Sequence, residues 1–253
     1  TYSHYSHAAF RGIIMNRFII GTALACALAT PAYAAPGLGQ EVYGATVDKG
    51  ELEFESRYDA LAGGADDGED VIKLEAAYGV TENLRVGLLG EFEKEPGEKR
   101  KAEEIGVEAI YALGQAGGID FALYGEYAIG LNGHADVVEG KLLVQRRSGP
   151  WDLRLNLIAE KELEGGHKVE LGYAASADVA AFGEVRLGVQ AFGDLGTFDK
   201  FLPRAEHFIG PVAKVEIEGL GPELELEAGY LFALGAARDD TKGQLRVALE
   251  LEF

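Results

Sequence analysis

The sequence predicts an all-β protein: a single closed antiparallel transmembrane β-barrel of about 12 strands, preceded by a cleavable segment. Three observations predict it. Windows of roughly nine to eleven residues alternate apolar and polar side chains, tight connections alternate with longer charged ones, and no apolar run after residue 40 could form a membrane helix. Composition is compatible with one large domain, since 47% of the 253 residues are hydrophobic. The 42 acids against 23 Lys and Arg give a net charge of −19, which argues against nucleic acid as a partner. A single Cys excludes a disulfide framework or a cysteine-based metal site.

The first element is an address. Met15-Asn16-Arg17 forms a basic start, Phe18 to Ala29 is an apolar run too short to span a bilayer, and Ala32-Tyr33-Ala34 places small residues where a signal peptidase reads. Residues 1–34 are therefore expected to be an upstream extension plus signal peptide, with the mature start near Ala35 and the barrel over 35–253. Both basic residues of this segment, Arg11 and Arg17, and the lone Met15 and Cys26 leave with it, so the mature chain is more acidic still. Export places the protein outside the cytoplasm.

Twelve candidate strands follow in order: Glu51–Tyr58, Val71–Gly79, Leu84–Glu93, Glu104–Tyr111, Ile119–Ala128, Val138–Arg146, Trp151–Glu160, Lys168–Ala174, Glu184–Phe192, Ile209–Ile217, Glu223–Phe232 and Leu245–Phe253. The last is the clearest, with Leu245, Val247, Leu249, Leu251 and Phe253 on one face and Arg246, Ala248, Glu250 and Glu252 on the other. Tight turns such as Val80–Asn83 and Ser148–Pro150 alternate with longer segments such as Asp59–Glu69 and Asp194–Arg204, which puts short turns at one rim and long loops at the other. Aromatics gather near strand ends (Tyr58, Tyr78, Tyr111, Tyr127, Trp151, Phe232, Phe253), as a membrane-interface girdle requires and a soluble barrel does not.

The closing stretch Leu245–Phe253 resembles the carboxy-terminal signature of bacterial outer-membrane β-barrels. That resemblance implies an outer-membrane location and an assembly signal in Leu249, Leu251 and Phe253, read by the barrel assembly machinery. A second segment, Tyr78–Phe92 (YGVTENLRVGLLGEF), is similar to outer-membrane proteins grouped as transporters of phenol-degradation pathways.

Chemistry points to the lumen rather than to a catalytic or metal site. The mature chain offers His134, His167 and His207 near the loop rim, but Ser148 and Ser176 lie toward the opposite rim and Ser56 faces lipid, so no enzyme, cofactor or metal is expected. Asp66-Asp67-Gly68-Glu69-Asp70 has a calcium loop's composition without its alternating ligand spacing. Strands twelve and one must pair to close the barrel. Glu51, Glu53, Glu55, Glu223, Glu225, Glu227, Glu250 and Glu252 are therefore expected to line one wall of the turn-side mouth, among the lumen bases Arg57, Lys73, Arg85, Lys141, Arg154, Lys168, Arg186, Lys214 and Arg246. Such a charge density needs water or dense ion pairs. The leading expectation is a channel or passive transporter for small solutes or cations, set in outer-membrane lipid and lipopolysaccharide. The alternative is a structural or interaction barrel plugged by ion pairs.

Overall fold

The computed structural model describes residues 35–217, 219 and 221–253, so the expected signal peptide lies outside the described residues. The strands are β1 (Leu52–Gly64), β2 (Asp70–Thr81), β3 (Leu84–Lys94), β4 (Lys101–Ala116), β5 (Ile119–Gly130), β6 (Val137–Ser148), β7 (Trp151–Glu162), β8 (Glu170–Phe182), β9 (Val185–Thr197), β10 (Lys200–Phe201), β11 (Glu206–Ile217), β12 (Glu223–Gly235) and β13 (Thr241–Glu252). Each barrel strand pairs antiparallel with its neighbours, β8 pairs β9, β9 pairs β11, and β13 pairs β1, which closes twelve strands into a barrel. The two-residue β10 pairs only with the outer end of β9 and is an addition to that barrel.

The alternation sets which side of the wall each residue faces. Phe54, Leu74, Leu88, Val107, Leu123, Leu142, Leu155, Val189, Leu226 and Val247 are exposed on the outside, a continuous apolar belt that only hydrocarbon can cover. Phe54, Tyr78, Tyr111, Trp151, Phe182 and Phe253 ring it toward the turns, with Tyr127 and Phe232 toward the loops. The closing register is held at the end of the chain by Phe253 N donating to Leu52 O (3.0 Å) and Leu52 N donating to Phe253 O (3.1 Å). Phe54 and Phe253 meet edge to face beside that seam.

The twelve barrel strands run 11 to 16 residues, longer than the alternating windows. Backbone pairing needs no apolar side chain, so the ladders continue past the belt into the long-loop side. Four predicted boundaries shift inward: Glu51, Lys168 and Glu184 precede β1, β8 and β9 rather than opening them, and Phe253 follows the end of β13. Lys168 consequently leaves the lumen and pairs with Asp199 (2.9 Å) in an exposed loop, which corrects its assignment as a lumen base.

The largest departure from expectation precedes β1. Residues 35–47 run inside the barrel, where Leu38, Val42, Tyr43 and Ala45 are buried, and 48–50 are exposed at the turn rim. Gly37 (φ +96°) makes the turn that seats Leu38, and a Cβ at position 37 would stand 2.8 Å from the Phe192 ring. Leu38 and Val42 complete an apolar cluster with the inward Leu61, Val71, Ile158, Phe192, Phe208, Val212 and Leu231. Tyr43 and Ala45 complete a second one with Ile110, Ala122, Tyr124 and Leu143. The lumen is thus not lined by charge alone. A polypeptide within it supplies apolar partners, so apolar inward residues need not meet water.

At the loop rim, Asp67 Oδ1 accepts from Gly63 N (2.6 Å), and the buried Asp70 accepts from Lys94 Nζ (3.3 Å) and from Arg100. Asp70 is therefore taken up by bases. Burial, then the nearby Asp66, Glu93, Glu95 and Glu206, pushes the loop carboxyl of Glu69 up from 4.5 to about 7. Between those values the folded loop keeps a proton that the unfolded chain has released, so stability falls as pH rises through this window. Glu69→Gln should therefore gain in unfolding midpoint relative to the parent between pH 4.5 and 7 and hold a constant advantage above. A difference independent of pH would contradict the assignment.

Candidate functional site

The seam brings together the glutamates that lie apart in sequence. Across β12, β13 and β1, Glu223, Glu252 and Glu53 are directly opposite one another, and one step deeper so are Glu225, Glu250 and Glu55. They form two rows of three carboxylates on one wall. Residues two apart along a strand are about 6.7 Å apart, which sets the row spacing, and neighbouring strands are about 4.8 Å apart. Further in, Glu227 stands opposite Ala248, and Ala248 opposite Arg57, so the acid pattern gives way to mixed charge. Glu51 sits just before β1 on the same face.

These groups line a cavity of ≈ 320 Å³ opening at the turn rim. Eleven carboxylates and five bases bound it. The inserted segment lines it through Val42, Tyr43 and Gly44. A smaller cavity of ≈ 220 Å³ adjoins it, sharing Arg147, Arg154, Lys214, Glu216 and Glu225 and adding Asp152, Asp178 and Arg186.

The bases are engaged individually. Arg85 Nη2 lies 2.5 Å from Glu53 and 2.6 Å from Glu75, and its Nη1 lies 3.1 Å from Glu108. Arg57 pairs with Glu55 (2.5 Å) and Glu41 (3.8 Å), Lys73 with Glu126 (3.7 Å) and Lys141 with Glu139 (3.0 Å). Arg154 pairs with Asp152 (3.1 Å), Arg186 with Asp178 (2.5 Å), and Lys214 with Glu225 (2.8 Å) and Glu227 (3.5 Å). Arg246, away from the mouth and fully buried, pairs with Asp59 (3.5 Å). Glu250 and Glu252 are paired to no base among the described residues.

Polar side chains of the wall hold the inserted segment by its backbone. Tyr43 N donates to Asn156 Oδ1 (2.8 Å) while Asn156 Nδ2 donates to Tyr43 O (3.0 Å), a two-bond clamp that imitates strand pairing. Ala45 N donates to Gln145 Oε1 (2.9 Å), Gly39 N to Asp59 Oδ2 (2.9 Å), Arg57 to Gln40 O (2.6 Å) and Arg154 to Val42 O (3.3 Å). Arg246 donates to both Gly37 O and Gln40 O. The Tyr43 hydroxyl donates toward Glu108 (3.1 Å) and Glu75 (3.3 Å). Glu41, Tyr43, Gln145, Asn156 and Asp59 are the participants that strand periodicity did not single out. A signal was present in Leu38, Val42, Tyr43 and Val47, apolar residues too numerous for a free polar tail.

The histidines lie at the loop rim: His134 Nδ1 is 3.2 Å from Glu103, His167 Nδ1 2.8 Å from Glu162, and His207 Nδ1 3.4 Å from the Tyr173 hydroxyl. Ser56 faces outward, Ser148 ends β6 at the turn rim, and Ser176 lines the vestibule, so the structure does not bring these groups together. Among the described residues no set of three or more His, Cys, Asp or Glu is placed to hold a metal ion. Leu249 and Leu251 lie on the outward face of β13, and Phe253 follows its last residue, next to the closing seam.

No protein-family model and no curated protein matches the sequence. Solved structures do match in fold. The COG4313 outer membrane channel from Pseudomonas putida F1 superposes with a TM-score of 0.60 at 11% identity, over 82% of this chain and 97% of that one. KdgM porin gives 0.56 at 9% identity over 79% and 99%, and NanC porin 0.53 at 7% over 80% and 98%. The chain therefore has the fold of outer-membrane β-barrel channels and spans nearly their whole length.

Proposed function

We propose that the protein is an outer-membrane channel or passive transporter with an acidic, cation-favouring lumen. The observation that carries the reading is the vestibule, where eleven carboxylates face five bases across one opening. Water must hydrate the unpaired acids, and their summed field concentrates cations at the mouth. The surrounding partners are outer-membrane lipid and lipopolysaccharide, and the outward Leu249, Leu251 and Phe253 offer the barrel assembly machinery its contact. A KdgM porin has been solved with oligogalacturonate. That ligand is anionic, and the carboxylate rows here would repel it, so the charge of the solute is not shared with the fold.

In a planar bilayer under a salt gradient, the reversal potential should show K⁺ passing several-fold more readily than Cl⁻. Neutralising Glu250 and Glu252 together as Gln should bring the ratio toward one. Anion preference in the parent protein would overturn the reading.

A second reading is favoured by one observation: residues 35–45 occupy the lumen, with Leu38, Val42, Tyr43 and Ala45 buried there. On this reading the barrel carries no flux and serves as a structural or interaction module. Absence of conductance both in the parent and in variants that loosen the segment would favour it.

A further inference from the structure

We propose that the barrel lumen is a binding site for extended oligopeptides, and that residues 37–45 occupy it as an intramolecular stand-in for that ligand. The proposal goes beyond the channel reading and does not depend on it, because it concerns what the inner wall recognises rather than what the barrel conducts. Three observations carry it.

The wall recognises the segment by its main chain. Asn156 takes both the N–H (2.8 Å) and the C=O (3.0 Å) of residue 43, and Gln145 accepts from the N–H of residue 45 (2.9 Å). Deeper in, Asp59 accepts from the N–H of residue 39 (2.9 Å), while Arg57 and Arg246 both donate to the C=O of residue 40. Each of these partners is a wall side chain, and each meets a group that every non-proline residue carries. Main-chain bonds of this kind give affinity with little regard to sequence, and side-chain pockets then set the preference.

The second observation is the shape of those pockets. The Tyr43 ring lies against Tyr124, 4.8 Å between centroids, with Lys141 Nζ 4.8 Å from its own centroid, and its hydroxyl donates to Glu108 (3.1 Å). That is a pocket for a phenolic side chain. Elsewhere the wall comes too close for bulk: a Cβ at position 39 would stand 2.9 Å from Glu91 Oε2, as one at position 37 would meet Phe192. The ligand class is therefore a peptide of small residues bearing one tyrosine.

Third, the wall offers more than the segment uses. Gln244 is 0% exposed and lies beside Gly37, its Oε1 3.0 Å from where a Cβ would stand, yet neither its Oε1 nor its Nε2 has a hydrogen-bond partner among the described residues. Arg246 Nε, two residues along β13, and Asp59 Oδ1, on the residue opposite Arg246, are unpaired as well. Buried polar groups of this kind cost free energy until partners reach them. A peptide with a donor and an acceptor at its deep end fills capacity that Pro36 and Gly37, with no polar side chain between them, leave idle. The vestibule meets the segment at Val42, Tyr43 and Gly44, which gives a peptide its way in from the turn rim.

The test folds the full chain with a site-specific protease sequence inserted between Lys49 and Gly50, which are exposed at the turn rim, and cuts it in micelles after folding. The freed segment is then an ordinary ligand. Exchange is followed by fluorescence anisotropy, using a peptide of residues 35–47 labelled at its carboxy end. The expected result is saturable binding of the labelled peptide, with full displacement by the unlabelled one. A second peptide, keeping the residues at positions 37, 39, 43 and 44 and carrying Ala or Ser elsewhere, should compete within tenfold of it. The same second peptide N-methylated at positions 43 and 45 keeps every side chain and should compete at least tenfold less well. N156A/Q145A in the cut barrel should weaken the labelled peptide at least tenfold, with retained heat-resistant migration certifying the fold. Displacement by the 35–47 sequence alone would overturn the proposal, making the segment a plug fitted only to itself. Exchange with none of the peptides, with cleavage verified by mass spectrometry, would overturn it too. Reversal potentials on the uncut protein test the channel reading separately: peptide exchange without cation-selective current upholds this site and overturns that reading, and cation-selective current without exchange does the reverse.

Discussion

Replacing Arg246 by alanine should lower the stability of the barrel by about 3–5 kcal/mol, the cost of stranding a buried charge when its partner is removed. Arg246 is 1% exposed and Asp59 0%, and the guanidinium is the only base paired to that carboxylate among the described residues. The same side chain donates to Gly37 O and Gln40 O and lies over the Phe192 ring, 4.4 Å from its centroid. Its loss therefore acts twice, on the wall and on the anchoring of residues 37–40. The midpoint of urea unfolding in micelles checks the first effect and protease accessibility of residues 35–50 the second. Arg246→Ala with Asp59→Ala should recover much of the lost stability, because the stranded carboxylate goes with it. Arg246→Lys should recover less, since a single ammonium cannot span acceptors that a planar fork reaches together. A single alanine variant as stable as the parent would show that the cluster contributes nothing.

The second large effect is expected on conductance. Asn156→Ala with Gln145→Ala removes three hydrogen bonds to the backbone of Tyr43 and Ala45. At about 1 kcal/mol net for each bond, the displaced state of the segment gains about 3 kcal/mol relative to the seated one, or roughly a hundredfold in population. Single-channel recordings should show longer or larger openings than the parent, while barrel stability changes less than in Arg246→Ala because no charge is stranded. The Gln145 deletion also frees Asp152, which accepts from Gln145 Nε2 at 2.9 Å but keeps Arg154 as its ion-pair partner. Conductance identical to the parent would mean that the two side chains do not hold the segment in place.

Much of this molecule was legible because a barrel wall is a local object. Period-two alternation tells which residues face hydrocarbon, and it placed Leu249, Leu251 and Phe253 outside and Glu250 and Glu252 inside from ten residues of sequence. Strand count and closure followed from turn chemistry and an even number of alternating windows, which is also why Glu53, Glu55, Glu223 and Glu225 could be brought to one seam. The rows themselves needed only antiparallel pairing between the first and last strands.

The occupant of the lumen was not legible in that way. Residues 35–50 have no strand period, and their partners, Asn156, Gln145, Arg154 and Arg246, lie a hundred or more positions downstream. Nothing local tells that an asparagine side chain on β7 will clamp a backbone amide at position 43. Inward apolar residues such as Leu61, Phe192, Phe208 and Leu231 carry the same ambiguity. Alternation fixes their side of the wall but not whether they meet water or another chain segment. By itself the sequence determined the wall, its polarity and the acid rows, since these depend on neighbours along and across adjacent strands. Only the tertiary structure decided what fills the interior and lines the vestibule beside those rows, because that depends on contacts between segments with no periodic relation to one another.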